Sequence, residues 1–285
     1  MNNIPPELKH LYAFVSRSNF IADQKIVCNH YLVEYDIRHA NISMLKTAGS
    51  LSDEMYNYME SLPKMEREII IGNWIRGEKY IRDGAVHLSH TEAAIKEGIK
   101  NAKYDFCRIN NIETQDIVRI ASDALIVKVS NTTHPYIQDI NPYILFHISG
   151  IYTTMIKLAD IILLFNSETC AVDIKGISDD KLFLHQPFLT AICELLLYIE
   201  NGDKKVALMK HKELYENYIS MALPLEYYRE LNAGSGYKLK YQGTLQSVKT
   251  ARLIALPDQF DIRNVDMSHN LYILRELYSI ILEMN

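Results

Sequence analysis

The sequence predicts an α+β fold, in which an antiparallel sheet with helices is followed by a mainly helical C-terminal part. Up to about residue 178, segments rich in β-branched and aromatic residues alternate with segments whose apolar residues recur at helical spacing. Two β-rich segments, 117–120 and 125–129, are separated by only a few residues, which is typical of a hairpin of antiparallel strands. Helical spacing then prevails to the end. We therefore expect a domain of residues 1–178, with a helical insertion at about 50–111, and a helical subdomain of residues 179–285.

The composition is that of a folded globular protein, with 48% hydrophobic and 23% charged residues in a chain of 285. The net charge of −5 gives no global signal for nucleic-acid binding, although a local groove can be basic on an acidic protein. The cysteines form no CxxC pair and predict reduced thiols rather than a zinc site or a disulfide framework: Cys28, Cys107, Cys170 and Cys193. We find no secretion signal, and the longest apolar run, 161–165, is too short to cross a bilayer. These features predict a soluble cytoplasmic protein without a membrane partner.

Local signals place the individual elements. Residues 25–36 favour a strand, and after Asp36 the apolar spacing becomes helical until Gly49, a typical left-handed helix cap. Ser89 and Glu92 form a capping box that starts the best-defined helix of the sequence. We further predict helices at 6–15, 51–62, 64–82, 151–165, 181–200, 204–221 and 269–283, and extended pieces at 117–120, 125–129, 143–148, 170–174 and 237–241.

Two aspartates occupy positions that suit metal binding. Asp36 ends a strand-forming segment, and Asp123 lies between the two β-rich segments of the predicted hairpin. Two carboxylates held side by side at strand ends can bind a pair of divalent cations against phosphate groups. Each aspartate also has an ordinary structural interpretation, Asp36 as a helix N-cap and Asp123 as a turn residue. Both interpretations stay open at the level of sequence.

The order strand, Asp36, helices, strand, Asp123, strand resembles the palm of a DNA polymerase of the phage and viral family B type. The first motif of that family is Asp, four residues, Tyr, Pro, Ser, Ile; Asp36 and Ser43 fit it, whereas Asn41 and Ile42 replace the tyrosine and the proline. The later motif, Tyr-Gly-Asp-Thr-Asp-Ser, keeps its second aspartate as Asp123, whereas Ala121 replaces its first. The chain has no room for the family's exonuclease domain.

The resemblance implies a palm-like sheet, a thumb-like C-terminal part and a DNA-directed nucleotidyltransferase that extends or handles nucleic acid. Asp36 and Asp123 would be the catalytic residues and the ligands of two Mg²⁺ or Mn²⁺ ions. Contacts to the nucleoside triphosphate would come from Ile37, Asn41, Lys64, Arg67 and Arg76. The chain would then be one piece of a split phage or viral polymerase, working with other polymerase or assembly subunits.

Nucleic-acid contacts are predicted at two further places. Lys175, followed by a glycine after a strand-forming segment, resembles a Lys-Gly pair of the same family. Lys238, Lys240 and Tyr241 combine charge with rings on which bases can stack. The alternative for this last group is an exposed basic hairpin.

Other interpretations compete with these assignments. The charged helix at 64–82 contains glutamates that pair with its cations, as on an ordinary solvated helix face. The whole chain can also be a non-catalytic subunit or a structural component of a larger phage assembly, which Ala121, Asn41 and the negative net charge favour. Phosphate-loop, dinucleotide-binding and nucleophile-elbow motifs do not occur, which argues against nucleotide hydrolases and dehydrogenases.

Overall fold

The computed structural model describes residues 4–28, 30–78, 80–82, 85–87, 89–130, 136–158, 161–169, 171–176, 185–229, 231, 236–241, 244–249 and 265–283. The helices are α1 (Lys9–Val15), α2 (Ala40–Thr47), α3 (Asp53–Ser61), α4 (Lys64–Glu78), α5 (His90–Ile109), α6 (Gln186–Glu200), α7 (Lys204–Ile219) and α8 (Ser268–Glu283). The strands are β1 (Phe20–Ile21), β2 (Ile26–Val27), β3 (Tyr31–Ile37), β4 (Tyr80–Arg82), β5 (Ala85–His87), β6 (Ile117–Ile120), β7 (Ala124–Val129), β8 (Asp139–Asn141), β9 (Ile144–Tyr152), β10 (Thr154–Leu158), β11 (Ile161–Asn166), β12 (Ala171–Lys175), β13 (Gly236–Tyr241) and β14 (Thr244–Lys249).

The chain packs as two units, and each has its own core. The first unit contains Met1–Asp23 and Tyr31–Ile151, and the second contains Gln24–His30 and Tyr152–Asn285. The two units divide between Ile151 and Tyr152, whereas we predict the domain boundary at residue 178. The reason is that strands β10, β11 and β12 pair with one another and with β2 in a four-stranded sheet of that unit.

The first unit is built on a six-stranded sheet in the order β1-β6-β7-β3-β9-β8. Its central strands, β3 and β7, pair antiparallel from Tyr31 opposite Val129 to Asp36 opposite Ala124. Under the sheet lies α5, whose Phe106 is fully buried and stacks on Phe146 with ring centroids 4.3 Å apart. The buried, strand-forming residues of β3 and β7 therefore fix the ends of both strands against one core.

Close contact between α5 and α2 sets the position of α2. Gly98 of α5 lies against Met44 of α2, and a Cβ atom at Gly98 would lie 2.7 Å from the methionine sulfur. Only a residue without a side chain permits this approach. Since α2 follows β3 directly, the packing also fixes where the N-terminus of α2 points.

The second unit combines its sheet with α6, α7 and α8, which agrees with the predicted α+β class and mainly helical C-terminal part. Apolar residues of all three helices fill its core, among them Ile192, Ala207 and Leu277. Strands β13 and β14 form a separate hairpin. Across the described residues, no helix is long and apolar enough to cross a membrane.

Most predicted elements are confirmed with small changes in their bounds. Ser89 caps α5 as predicted, because its hydroxyl accepts a hydrogen bond from the Glu92 amide at 2.9 Å. The segment at 25–36 divides into β2 and β3, and the helix predicted at 64–82 ends at Glu78 and is followed by β4. The start of the helix predicted at 181–200 lies outside the described residues.

The helix predicted at 151–165 is wrong. Residues 154–158 and 161–166 form the antiparallel strands β10 and β11, with Met155 opposite Leu164. A short continuous apolar run fits a buried strand as well as a buried helix. Here both faces of the strands are covered, so the run shows no alternation that would have revealed them.

Candidate active site

The two predicted aspartates lie at the same end of neighbouring strands. Asp36 is near the end of β3, and Asp123 occupies the turn that leads from β6 into β7. The β3–β7 register places Asp36 opposite Ala124, one residue beyond Asp123. The Ile37 amide donates a hydrogen bond to the Asp123 carbonyl at 3.1 Å, which ties the turn to the end of β3. The fold thus brings together two carboxylates that are separated by most of the first unit in sequence.

Both carboxylates open into one cavity of about 510 Å³ in the first unit. We call it the carboxylate cavity. It brings together six of the predicted site residues, namely Asp36, Ile37, Asn41, Lys64, Arg67 and Asp123. Its wall also contains residues that the sequence did not single out: Arg38, His39, Ala40, Ile42, Glu68, Leu145 and His147.

The Asp36 carboxylate is partly withdrawn from water and incompletely satisfied. Its Oδ1 atom is buried and has no hydrogen-bond partner within the described part of the chain. Burial raises the pKa of Asp36, and the negative charge of Asp123 raises it further, whereas His147 acts in the opposite direction. The Asp123 Oδ1 atom accepts a hydrogen bond from the Ser122 hydroxyl at 3.0 Å. An unsatisfied buried carboxylate beside a second carboxylate is costly unless a cation or a proton compensates it.

Three cationic residues that suit an anion also line the cavity. Lys64 and Arg67 project from α4, and Arg38 follows directly after β3. Arg67 is almost fully buried and donates one hydrogen bond, at 3.4 Å, to the Glu60 carbonyl. Arginine side chains are rarely buried on a surface helix. The buried guanidinium of Arg67 is therefore a rigid donor group at the cavity.

The N-terminus of α2 adds backbone donors to this wall. Its N-cap, His39, has a left-handed backbone with φ of 52°, and no side chain caps the helix. Burial, with help from Arg67 and Arg38, lowers the pKa of His39, so its imidazole is neutral near pH 7. Ala40, Asn41 and Ile42 from the first turn line the cavity. The first amides of a helix attract phosphate groups.

Asn41 and Glu68 form a polar bridge across the cavity wall. The Asn41 Nδ2 atom donates to Glu68 Oε2 at 2.8 Å, and the pair joins α2 to α4. Both groups are exposed, so they can exchange this bond for bonds to hydroxyls of a ligand. Asn41 therefore has a place at the site, although it departs from the polymerase motif.

Lys103 supports the Asp123 turn from below. The residue is 1% exposed, and its ammonium group donates to the carbonyls of Arg17 at 2.9 Å and Ala121 at 3.3 Å. Burial lowers the pKa of Lys103 to about 8, and Asp123 partly opposes this shift. The sequence carried a signal for this residue, since Lys103 interrupts the apolar face of α5, between Ile99 and Phe106.

Other predicted residues lie elsewhere. Arg76, near the end of α4, does not line the cavity and donates to Asn73 Oδ1 at 2.6 Å. Lys175 belongs to the second unit and pairs with Asp173 at 3.1 Å. Lys238, Lys240 and Tyr241 fall in β13, whose side chains are outside the described part of the structure. The described residues contain no group of three or more histidine, cysteine or acidic side chains that could hold a metal, so any ion here would rely on the two aspartates.

Comparison with known proteins points to a phage. No curated protein matches the sequence. The family model described as Bacteriophage PBS1 gene 130 protein matches residues 11–282, and this description states no activity. The match spans both units and nearly the whole chain. The chain therefore belongs to the bacteriophage PBS1 gene 130 protein family.

Proposed function

We propose that the carboxylate cavity binds a nucleoside triphosphate together with divalent metal, and that the protein is a phage polymerase-like nucleotidyltransferase acting in the host cytoplasm. One observation carries the proposal: the Asp36 Oδ1 atom is buried and has no hydrogen-bond partner within the described residues, in a cavity that Asp123 and the cations Arg38, Lys64 and Arg67 also line. This arrangement costs stability and has no use in a purely structural strand end. It suits a ligand that brings both positive and negative charge, as a metal–phosphate complex does.

The donor set fits magnesium or manganese. Mg²⁺ prefers carboxylate oxygens and keeps several water and phosphate ligands, so two aspartates from the protein suffice. When bound, a pair of such ions would neutralise charge on the transferred phosphoryl group and activate the attacking hydroxyl. Asp36 and Asp123 would hold the metal, with Ile37 beside them at the end of β3.

The remaining wall would bind the phosphates and the sugar. Arg67 and Lys64 would contact phosphate oxygens, Arg67 as a fixed fork and Lys64 as a mobile point charge. The first-turn amides of α2 would add uncharged donors. Asn41 and Glu68 would form hydrogen bonds to the sugar hydroxyls. Phosphoryl transfer depends mainly on such positioning and charge neutralisation, so no nucleophilic side chain is required.

Calorimetric titration tests the metal site. Wild-type protein should bind Mn²⁺, and a nucleoside triphosphate should strengthen this binding. Asp36→Asn and Asp123→Asn should each weaken it by at least roughly 100-fold, since even residues that only support a metal ligand contribute about 10- to 100-fold. Arg67→Met should weaken the binding of the triphosphate. It should leave the binding of Mn²⁺ alone, without triphosphate, nearly unchanged.

Asp105→Asn is the matched control, because Asp105 is an α5 carboxylate that pairs with Arg108 at 3.2 Å and does not line the cavity. Primer extension with the same variants tests the chemistry. Wild-type protein that binds no Mn²⁺, or an Asp36 or Asp123 variant that behaves like Asp105→Asn, would exclude the metal site.

A second candidate function is that of a non-catalytic subunit of a phage assembly. The observation that favours it is a set of exposed apolar side chains on α3 and α4: Met55, Tyr58, Met65 and Ile69. Within each helix the two side chains are three or four residues apart and therefore share a face, and exposed apolar patches are typical of protein interfaces. Under this candidate, Met65→Lys with Ile69→Lys would abolish assembly with phage proteins, whereas Asp36→Asn would have no effect on it.

A further inference from the structure

The second unit contains a groove of about 470 Å³ between α7 and α8. Its lining consists of six residues, namely Leu208, His211, Lys212, Tyr215, Arg275 and Tyr278. We call it the aromatic groove. Three of the six residues carry rings, two carry permanent positive charges, and none is acidic.

The three rings form one connected surface. The His211 ring is parallel to Tyr215 within 18°, with centroids 6.2 Å apart, and lies 5.4 Å from the ring of Tyr278. The His211 Nε2 atom donates to the Leu274 carbonyl at 2.7 Å. This hydrogen bond holds the buried imidazole in place at the bottom of the groove. Tyr278 is 44% exposed, so one aromatic surface remains accessible to a ligand.

The cations lie at the edges of this surface. The Lys212 side chain is 74% exposed, and its contact with Glu216 is long, at 3.7 Å. Arg275, on α8, is also exposed. Positive groups beside accessible rings are suited to phosphates that flank a stacked base.

The other face of α7 has a different character. A second cavity there is lined by Glu194, Glu213 and Lys210, among others, and Lys210 pairs with Glu213 at 3.1 Å. With two glutamates against one lysine, the lining of that cavity carries a net negative charge. The aromatic groove alone, of these two cavities, combines accessible rings with a surplus of positive charge.

We propose that the aromatic groove binds single-stranded nucleic acid. A base stacks on the exposed ring of Tyr278, which packs against the buried His211, and the neighbouring phosphates contact Lys212 and Arg275. This binding needs no metal and no residue of the carboxylate cavity, so it stands or falls independently of the proposed catalytic function. Because every base has an aromatic face, the groove has little sequence preference.

Fluorescence anisotropy in EDTA, with a fluorescein-labelled oligo(dT) of about 12 nucleotides, tests this binding, because folds that bind single strands cover roughly 4–16 nucleotides. Tyr278→Leu should weaken binding roughly 5- to 150-fold, the range expected for the loss of one stacked base. Tyr278→Phe keeps the ring and should retain most of the affinity. Lys212→Gln should reduce the slope of log affinity against log salt by about 0.7, the value for one phosphate contact to a single strand.

Two control variants match these changes. Tyr272→Leu removes an equally exposed tyrosine of α8 that does not line the groove, at 48% exposure against 44% for Tyr278. Lys210→Gln removes a lysine from the opposite face of α7. Wild-type affinity and salt slope in both controls support the proposal. It is overturned if the oligonucleotide does not bind, if the controls weaken binding as much as Tyr278→Leu and Lys212→Gln do, or if Tyr278→Phe loses as much affinity as Tyr278→Leu. It is also overturned if an unlabelled peptide, but not unlabelled oligo(dT), displaces the probe from the groove.

Discussion

In the carboxylate cavity the functional groups sit at strand ends and are partly withdrawn from water, whereas in the aromatic groove they stand on exposed helix faces. Asp36, Arg67 and the supporting Lys103 all carry charge in places where burial opposes it. Tyr278 is uncharged and exposed, and Lys212 and Arg275 carry their charges on the surface at no such cost. This difference implies that the structure of the cavity depends on the packing of the adjacent core, whereas the structure of the groove depends only on the surfaces of two helices. Variants should therefore affect stability and ligand binding together in the first unit and separately in the second.

The largest effect is expected from the core under the cavity. Phe106 is fully buried between Phe146, at 4.3 Å, and Tyr35 of β3, at 5.0 Å between ring centroids. Phe106→Ala should lower the free energy of unfolding by about 3–5 kcal/mol, through lost burial and the cavity left behind. Because Tyr35 precedes Asp36, Mn²⁺ affinity should fall as well. Urea unfolding and calorimetric titration measure the two effects.

Phe14→Ala provides the comparison, since Phe14 is only partly buried and pairs with Phe20 at the edge of the core. A loss for Phe106→Ala no larger than that for Phe14→Ala would show that the core does not hold the cavity. Unchanged Mn²⁺ affinity in a destabilised Phe106→Ala protein would show that metal binding does not depend on this core packing.

Local signals in the sequence were sufficient for the elements that frame the cavity. The β-rich run before Asp36 and the short β-rich pieces around Asp123 predict strands, and antiparallel pairing of those strands is what brings the aspartates together. Lys64 and Arg67 could be proposed only through the polymerase resemblance, and the structure does bring them to the cavity. The strands β10 and β11 could not be predicted, because a run of apolar residues that is buried on both faces has no alternating pattern.

Contacts between distant segments account for what the sequence did not reveal. His147 reaches the cavity only through the pairing of β9 beside β3, and the left-handed backbone of His39 has no sequence signature. Arg76 lies three turns along α4 from Lys64, and a helix carries only part of its charged face past any one cavity. The aromatic groove needs residues of α7 and α8, which are about 60 positions apart and show no shared motif.

The second effect concerns pH and Lys103. Burial lowers the pKa of Lys103 to about 8 in the folded protein from 10.5 in the unfolded chain. Between these pH values the unfolded chain binds more protons, so the free energy of unfolding should rise as the pH increases from 8 to 10.5, by at most about 3 kcal/mol. Lys103→Met should remove this rise. Urea unfolding at a series of pH values tests it.

Lys96→Met serves as the control, since Lys96 is exposed on the same helix and pairs with Glu92 at 2.7 Å. Its pH profile should follow that of the wild type. A Lys103→Met profile that also follows the wild type would mean that Lys103 is more hydrated than its 1% exposure implies.

The smallest effect concerns Asp36, and here stability changes with pH in the opposite direction to that predicted for Lys103. This prediction also distinguishes the carboxylate cavity from the aromatic groove most clearly. Burial and the charge of Asp123 raise the pKa of Asp36 above 3.8, so the folded protein binds more protons than the unfolded chain just above that pH, and stability falls as the pH rises through this window. Asp36→Asn should therefore raise the free energy of unfolding of the metal-free protein at pH 7 by on the order of 1 kcal/mol, which is the low end of the cost of an unsatisfied buried acceptor. Below pH 3.8 this gain in stability should vanish. Tyr278→Leu, on an exposed surface, should change the free energy of unfolding by less than about 0.5 kcal/mol at any pH. Saturating Mn²⁺ should reverse the order of wild type and Asp36→Asn in thermal unfolding, because only the wild type gains the free energy of binding. If Asp36→Asn destabilises the metal-free protein, then Asp36 is a structural residue and the contrast between cavity and groove does not hold.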